Sequence, residues 1–181
     1  GDAVDVSFKV EDSVSQSELS DLTITVKNQE TGNEAGTLTL PNNSNQTKIS
    51  LVEGTKYTYE VVKTGYKTET GNFTVPSADN NQPIQIKLTM ADIQISQDRN
   101  IVYVDDTATF SVANAVAGAT YTWQSSNNKV ATVDQSGNVK AVGAGSANIS
   151  ASYNGETSNE ITVSPTKIDT SISLYLTPTP N

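Results

Sequence analysis

Apolar residues in this chain recur at every second position in short runs. Val4, Val6, Phe8 and Val10 alternate with polar neighbours, and Leu22, Ile24 and Val26 repeat the arrangement. Leu38 with Leu40, Ile49 with Leu51, and Tyr57, Tyr59 and Val61 continue it, followed by Phe73 with Val75 and by Ile84, Ile86 and Leu88. A period of two puts the apolar side chains of a run on one face of an extended segment, so the first half predicts seven half-buried strands. Residues 30–33, 41–45, 53–54, 64–65 and 77–81 separate the runs and are rich in Gly, Asn and Asp. These residues favour turns because they tolerate positive φ or bond to their own backbone. No window of about twelve residues keeps a 3.6-residue apolar period, and residues 13–21 have room for one helical turn.

The second half predicts strands at 93–95, 101–104, 108–112, 119–123, 131–134, 138–142, 145–153 and 160–164. Asp134-Gln135-Ser136-Gly137 reads as a hairpin turn with Gly137 at the left-handed position. Trp123 shares a strand face with Tyr121, and its bulk suits the central plug of a sandwich core better than a ligand platform. Many short strands separated by turns argue for sandwiches. The two halves meet near Met90-Ala91-Asp92 with no Gly/Ser-rich tether, which predicts a stiff junction.

Several stretches of the second half carry more than periodicity. Trp123-Gln124-Ser125-Ser126-Asn127, Val130-Ala131-Thr132-Val133-Asp134, Gly137-Asn138-Val139, Gly143-Ala144-Gly145 and Ala147-Asn148-Ile149-Ser150-Ala151 follow one another at close spacing. This run closely resembles the bacterial immunoglobulin-like group 2 family over about residues 91–165. The resemblance implies a sandwich whose motif residues serve the fold and mark no binding surface. Gly143 and Gly145 are expected to let the chain bend between strands, and Ser125 and Asn127 to cap the end of the Trp123 strand.

In the first half, Gly54-Thr55-Lys56-Tyr57-Thr58-Tyr59, then Thr64-Gly65-Tyr66 and the Ile84, Ile86, Leu88 strand, resemble the transthyretin-like group of surface sandwiches. That group includes carboxypeptidase-regulatory-like, PEGA-type and collagen-adhesin B-type repeats. Some B-type domains join a first-strand Lys to a last-strand Asn by an isopeptide bond. Lys9 stands in the first strand here, but the last strand, 83–90, has no Asn, so Lys9 is expected to be solvated on the outer face. Pattern and resemblance together imply an all-β chain of two tandem immunoglobulin-like β-sandwiches, at 1–90 and 91–165. Residues 166–181 follow as a C-terminal strand or tail. There Ile172, Leu174 and Leu176 alternate before Thr177-Pro178, and the expected arrangement is pairing with an edge of one domain. A further domain or a neighbouring molecule is the alternative partner.

Charge narrows the partners. The 181 residues hold 20 acidic and 11 basic side chains, a net charge of −9, and both halves are acidic. Such a surface repels phosphate backbones and anionic head groups, so neither nucleic acid nor direct membrane insertion is expected. No run approaches the ~18 apolar residues of a membrane span. The chain lacks cysteine, which removes disulfides and thiol chemistry without placing it in the cytosol.

Candidate chemistry is sparse. With no histidine and no cysteine, a serine nucleophile lacks its usual base, and the best transition-metal ligands are missing. Hard oxygen sites remain, and Asp105-Asp106 is the best carboxylate pair, though an acidic loop explains it more simply. Sequons at Asn42, Asn45, Asn72 and Asn148 carry no weight in a chain so rich in Asn and Thr. No catalytic residue, metal or cofactor is expected. The expected role is adhesion or support, as a monomer, in a surface-exposed or secreted bacterial protein, with a host protein or a glycan as partner. A carbohydrate-binding accessory module is the alternative, with Tyr57, Tyr59, Tyr66 and Tyr103 as candidate ligand contacts. A phage virion decoration or fibre protein is a further one.

Overall fold

The computed structural model describes residues 1–40 and 48–169, which are almost entirely strands and turns. The chain is all-β. Two compact units divide it: Gly1–Asp92 with Asn114–Ala119, and Ile93–Ala113 with the chain from Thr120 onward. The turn expected at 41–45 and the strand expected at Ile172, Leu174 and Leu176 lie outside the described residues.

In the first unit the seven alternating runs are seven strands: β1 (Ala3–Asp12), β2 (Leu22–Asn28), β3 (Glu34–Leu40), β4 (Lys48–Val52), β5 (Lys56–Val62), β6 (Glu69–Thr74) and β7 (Ile84–Leu88). β1 serves two partners. Its first half runs antiparallel to β4 and its second half parallel to β7, giving the sheet β4-β1-β7. The other sheet has the order β3-β2-β5-β6. Alternation sets the core: Val4, Val6, Phe8 and Val10 are buried, as are Ile24, Val26, Ile86 and Leu88. Burying a side chain of this size stabilises by about 1.5–3 kcal/mol relative to exposure. Phe8 meets Phe73 edge-on with ring centroids 5.7 Å apart, which ties one sheet to the other. After β1 the chain makes a single turn, in which the Gln16 N–H bonds the Asp12 carbonyl at 3.0 Å. The Asp12 carboxylate caps the start of that turn by accepting the N–H groups of Val14 and Ser15.

The second unit contains β8 (Gln94–Gln97), β9 (Thr107–Ala113), β10 (Thr122–Ser125), β11 (Ala131–Val133), β12 (Asn138–Ala141), β13 (Ala147–Tyr153), β14 (Glu156–Thr157) and β15 (Ile161–Val163). One sheet has the order β11-β12-β9-β8. In the other, β13 is flanked by β10 and by β14 and β15. Trp123 is the core plug expected of it: it is buried, and its ring meets Phe110 edge-on at 6.4 Å. Gly137 has φ +84°, and a Cβ there would run into the Phe110 carbonyl oxygen, so turn and core both require glycine. A Cβ at Gly143 would likewise strike the Lys129 carbonyl oxygen.

Two expectations about strands need correction. Residues 101–104 are not a strand; only Tyr103 bridges, to Thr166. The Asp106 carboxylate takes the N–H groups of Val102 and Tyr103, and Asp105 turns the chain with φ 80°, so ladder pairing ends. β14 was not anticipated. It forms because Asn154 and Gly155, both at positive φ, make the tight turn that returns the chain onto β13.

Candidate functional site

The four candidate tyrosines do not form a row. Tyr57 is buried, its ring stacks on Phe73 at 6.1 Å, and its hydroxyl accepts the Val52 N–H at 3.2 Å. Tyr66 is buried and donates its hydroxyl proton to Asp12 Oδ2 at 2.7 Å. Tyr59 is half-buried, lying across Gly71, its partner on the edge strand β6. Burial, and then the nearby Glu69 carboxylate, push its hydroxyl pKa up. Tyr103 is 44% exposed and belongs to the second unit, where Asp106 holds its backbone N–H. Three of the four therefore pack within the first unit, and two of these are core residues with engaged hydroxyls.

The other singled-out groups have local work. The backbone N–H of Tyr103, then that of Val102, holds the Asp106 carboxyl below the usual carboxylate range. Asp105-Asp106 is thus a turn-forming pair. Among the described residues no three Asp or Glu side chains are arranged to hold a metal ion. Lys9 is half-buried and reaches Glu18 Oε1 at 3.6 Å, while its neighbour on β7 is Gln85. Lys63, which the alternating pattern did not mark, is buried and donates to the Ser20 carbonyl at 2.6 Å. Burial lowers its pKa, against the pull of Asp21.

A groove of about 560 Å³ lies on the outer face of the sheet β11-β12-β9-β8. Strand register builds it. Ala131, Val139, Ala141, Ala108 and Phe110 point into the core, so the residues between them face out. Lys140 pairs with Thr132 on one side and Thr107 on the other, and Asn138 pairs with Thr109. The turn after β8 adds Asp98 and Arg99. Thr109 donates its hydroxyl to Asn138 Oδ1 at 3.2 Å and its N–H to Asp98 Oδ1 at 2.8 Å. Asp134, at the rim, accepts from the Asn138 side chain and from the N–H groups of Asn138 and Ser136. The Asn138 side-chain amide is the largest of the causes that hold its carboxyl below the usual range. Sequence reasoning passed over these residues. They are visible as the polar half of an alternation, but nothing in the sequence says that β12 lies between β9 and β11.

The group 2 motif residues work on the backbone. Ser125 donates to the Ala131 carbonyl at 2.7 Å and accepts the Asn127 N–H, and Asn127 accepts the Lys129 N–H. Residues 89–166 match the family described as bacterial Ig-like domain (group 2). No curated protein matches the chain. Among solved structures, the chain is similar to the C-terminal 282-residue fragment of intimin, solved in complex with the intimin-binding domain of the translocated intimin receptor. Identity is 17%, 90% of this chain and 58% of that one are covered, and the TM-score is 0.36. BcpA, the major pilin subunit of Bacillus cereus, is similar at 10% identity over 91% of this chain and 69% of that one, with TM-score 0.42. The surface layer protein SbsC, domains 1-6, is similar at 14% identity over 92% of this chain and 40% of that one, with TM-score 0.34. The chain thus spans little more than half the length of the intimin fragment. Family match and motif geometry agree: residues 89–166 of this chain are a group 2 bacterial Ig-like domain.

Proposed function

We propose that this chain is a non-catalytic part of a bacterial surface or secreted protein and serves as an adhesion or stalk module. The observation that carries the reading is the group 2 bacterial Ig-like domain over residues 89–166. The complete absence of His and Cys supports it, since nucleophilic catalysis loses its commonest base and its best nucleophile. The first unit belongs, on this reading, to the transthyretin-like or collagen-adhesin B-type sandwiches. The chain works as a monomer. Two edge strands have their backbone groups engaged: the Gln135 amide bonds the N–H and C=O of Trp123, and the Asn159 amide bonds those of Ile95. Closing an edge in this way discourages strand addition from another molecule.

The partner is a host protein or a glycan, and the polar groove on the second unit favours the glycan. Antibody raised against the chain should label unpermeabilised cells of the source bacterium. Labelling only after permeabilisation would sink the surface reading. Beads coated with the intact chain should be retained on host cells or matrix proteins above bare beads. Retention equal to bare beads would remove the adhesive role and leave the stalk.

A further inference from the structure

The groove on the outer face of β11-β12-β9-β8 is polar and charge-balanced in an otherwise acidic protein. The cations of the second unit's described residues are Arg99, Lys129, Lys140 and Lys167, and two of them, Arg99 and Lys140, line this groove. No carboxylate lies within ion-pair distance of Lys140 among the described residues, and Arg99 Nε stands 4.0 Å from Asp98 Oδ1, at the limit of pairing. Against these cations stand Asp98 and Asp134, both also in the lining. Both accept backbone N–H groups, Asp98 from Thr109 and Asp134 from Ser136 and Asn138, which fixes them in place. The hydroxyl residues Thr107, Thr109 and Thr132 and the Asn138 amide add to the polar surface, with Ala108, Val133 and Val139 supplying its apolar part.

Such a set discriminates by charge. An anionic ligand paired with Lys140 and Arg99 also faces two carboxylates, and a cationic one meets the converse. At about 4 Å each unfavourable contact costs ~1 kcal/mol even in water, which cancels the favourable one. A neutral polyhydroxylated molecule avoids both penalties. Each of its hydroxyls donates and accepts, matching carboxylate and amide oxygens on one side and ammonium, guanidinium and threonine hydroxyls on the other. The volume lies within the ~300–1,000 Å³ usual for ligand pockets. The lining has no aromatic ring, so the stacking that strengthens sugar binding is absent and affinity is weak.

We propose that this groove is a binding site for a neutral oligosaccharide, held by Arg99, Lys140, Asn138 and the threonine hydroxyls with a Kd of about a millimolar. The proposal rests on the adhesive reading and names what the second unit would hold.

The test is an amide NMR titration of the intact chain with neutral hexasaccharides of glucose, mannose, galactose and xylose, and with hexagalacturonate as the acidic probe. Expected are shifts confined to amides around 98–100, 107–109, 132–134 and 138–140, produced by at least one neutral sugar and not by hexagalacturonate. Lys140→Ala and Thr132→Ala, both on the exposed face, should each weaken that binding about three- to tenfold with the rest of the spectrum unchanged. No shift with any neutral hexasaccharide at millimolar concentration overturns the proposal. So does stronger binding of hexagalacturonate, or unchanged binding by both variants. Bead retention of the parent chain separates the two readings: retained beads without sugar binding would sink the sugar site alone, and beads that never adhere would sink the adhesive role itself.

Discussion

The two units reach the same kind of fold by different means. Strands of the first unit run from five to ten residues, and β1 divides its length between two neighbours. In the second unit β10 and β12 have four residues, β11 and β15 three, and β14 two. Short ladders leave backbone groups unpaired at strand ends, and a buried unpaired group is costly. Side chains fill the gap: Gln135 on Trp123, Asn159 on Ile95, Ser125 on the Ala131 carbonyl, and Ser158 on the Ala151 N–H at 2.8 Å. Among the described residues of the first unit such bonds gather mostly in turns, where Asn28 accepts the N–H groups of Glu30 and Thr31 and Asp12 gathers the Tyr66 hydroxyl and two backbone N–H groups. The second unit is therefore recognisable by particular residues, because an amide or hydroxyl bonded to backbone cannot be exchanged freely. A strand defined only by alternation accepts any apolar residue of about the right size.

This contrast breaks most visibly at the cores. Trp123→Ala should cost about 3–5 kcal/mol and collapse the second unit's amide dispersion, while β1–β7 keep their hydrogen-exchange protection. Simultaneous loss of protection in both units would show that the division into two means of stabilisation is wrong. Next in size is Tyr66→Phe, which leaves a buried Asp12 oxygen without its hydroxyl donor. Its expected cost is about 1–3 kcal/mol, read as a drop in the denaturation midpoint of the first unit.

Gln135→Ala and Asn159→Ala probe the side-chain bonds directly. Each should lower the second unit's stability by about 0.5–1.5 kcal/mol and accelerate amide exchange at Trp123 and Ile95 respectively. Unchanged exchange at both positions would mean that the amides decorate edges that hold without them.

The smallest effect is in pH. Asp106 and Asp134 have folded pKa values below their ordinary ones. Their contribution is fully present above the unfolded carboxyl value of about 3.9 and is lost as pH falls through the lower folded values. Acid melts of Asp106→Asn and Asp134→Asn should be flatter than the parent's below about pH 4. Parallel curves would show that the two turns do not report on stability.

Much of this protein was legible before any coordinates. Period-two alternation located all seven strands of the first unit because burial on one face is a local property of the run. The Trp-x-Ser-Ser-Asn stretch, Gly137 and Gly143 identified the second unit because backbone geometry tolerates so little else there. Local pattern failed where a side chain overruled it. Val102 and Val104 alternate like a strand, yet the Asp106 carboxylate claims the N–H groups that a ladder needs.

What only tertiary structure decided was which residues from distant positions share a surface. Tyrosines spaced like a platform prove to be core at Tyr57 and Tyr66, since exposure depends on which sheet covers a face. The groove joins positions 98–99, 107–109, 132–134 and 138–140, because β12 inserts between β9 and β11. Alternation along a strand is written in neighbouring residues, but the order of strands in a sheet is set by the packing of the whole core.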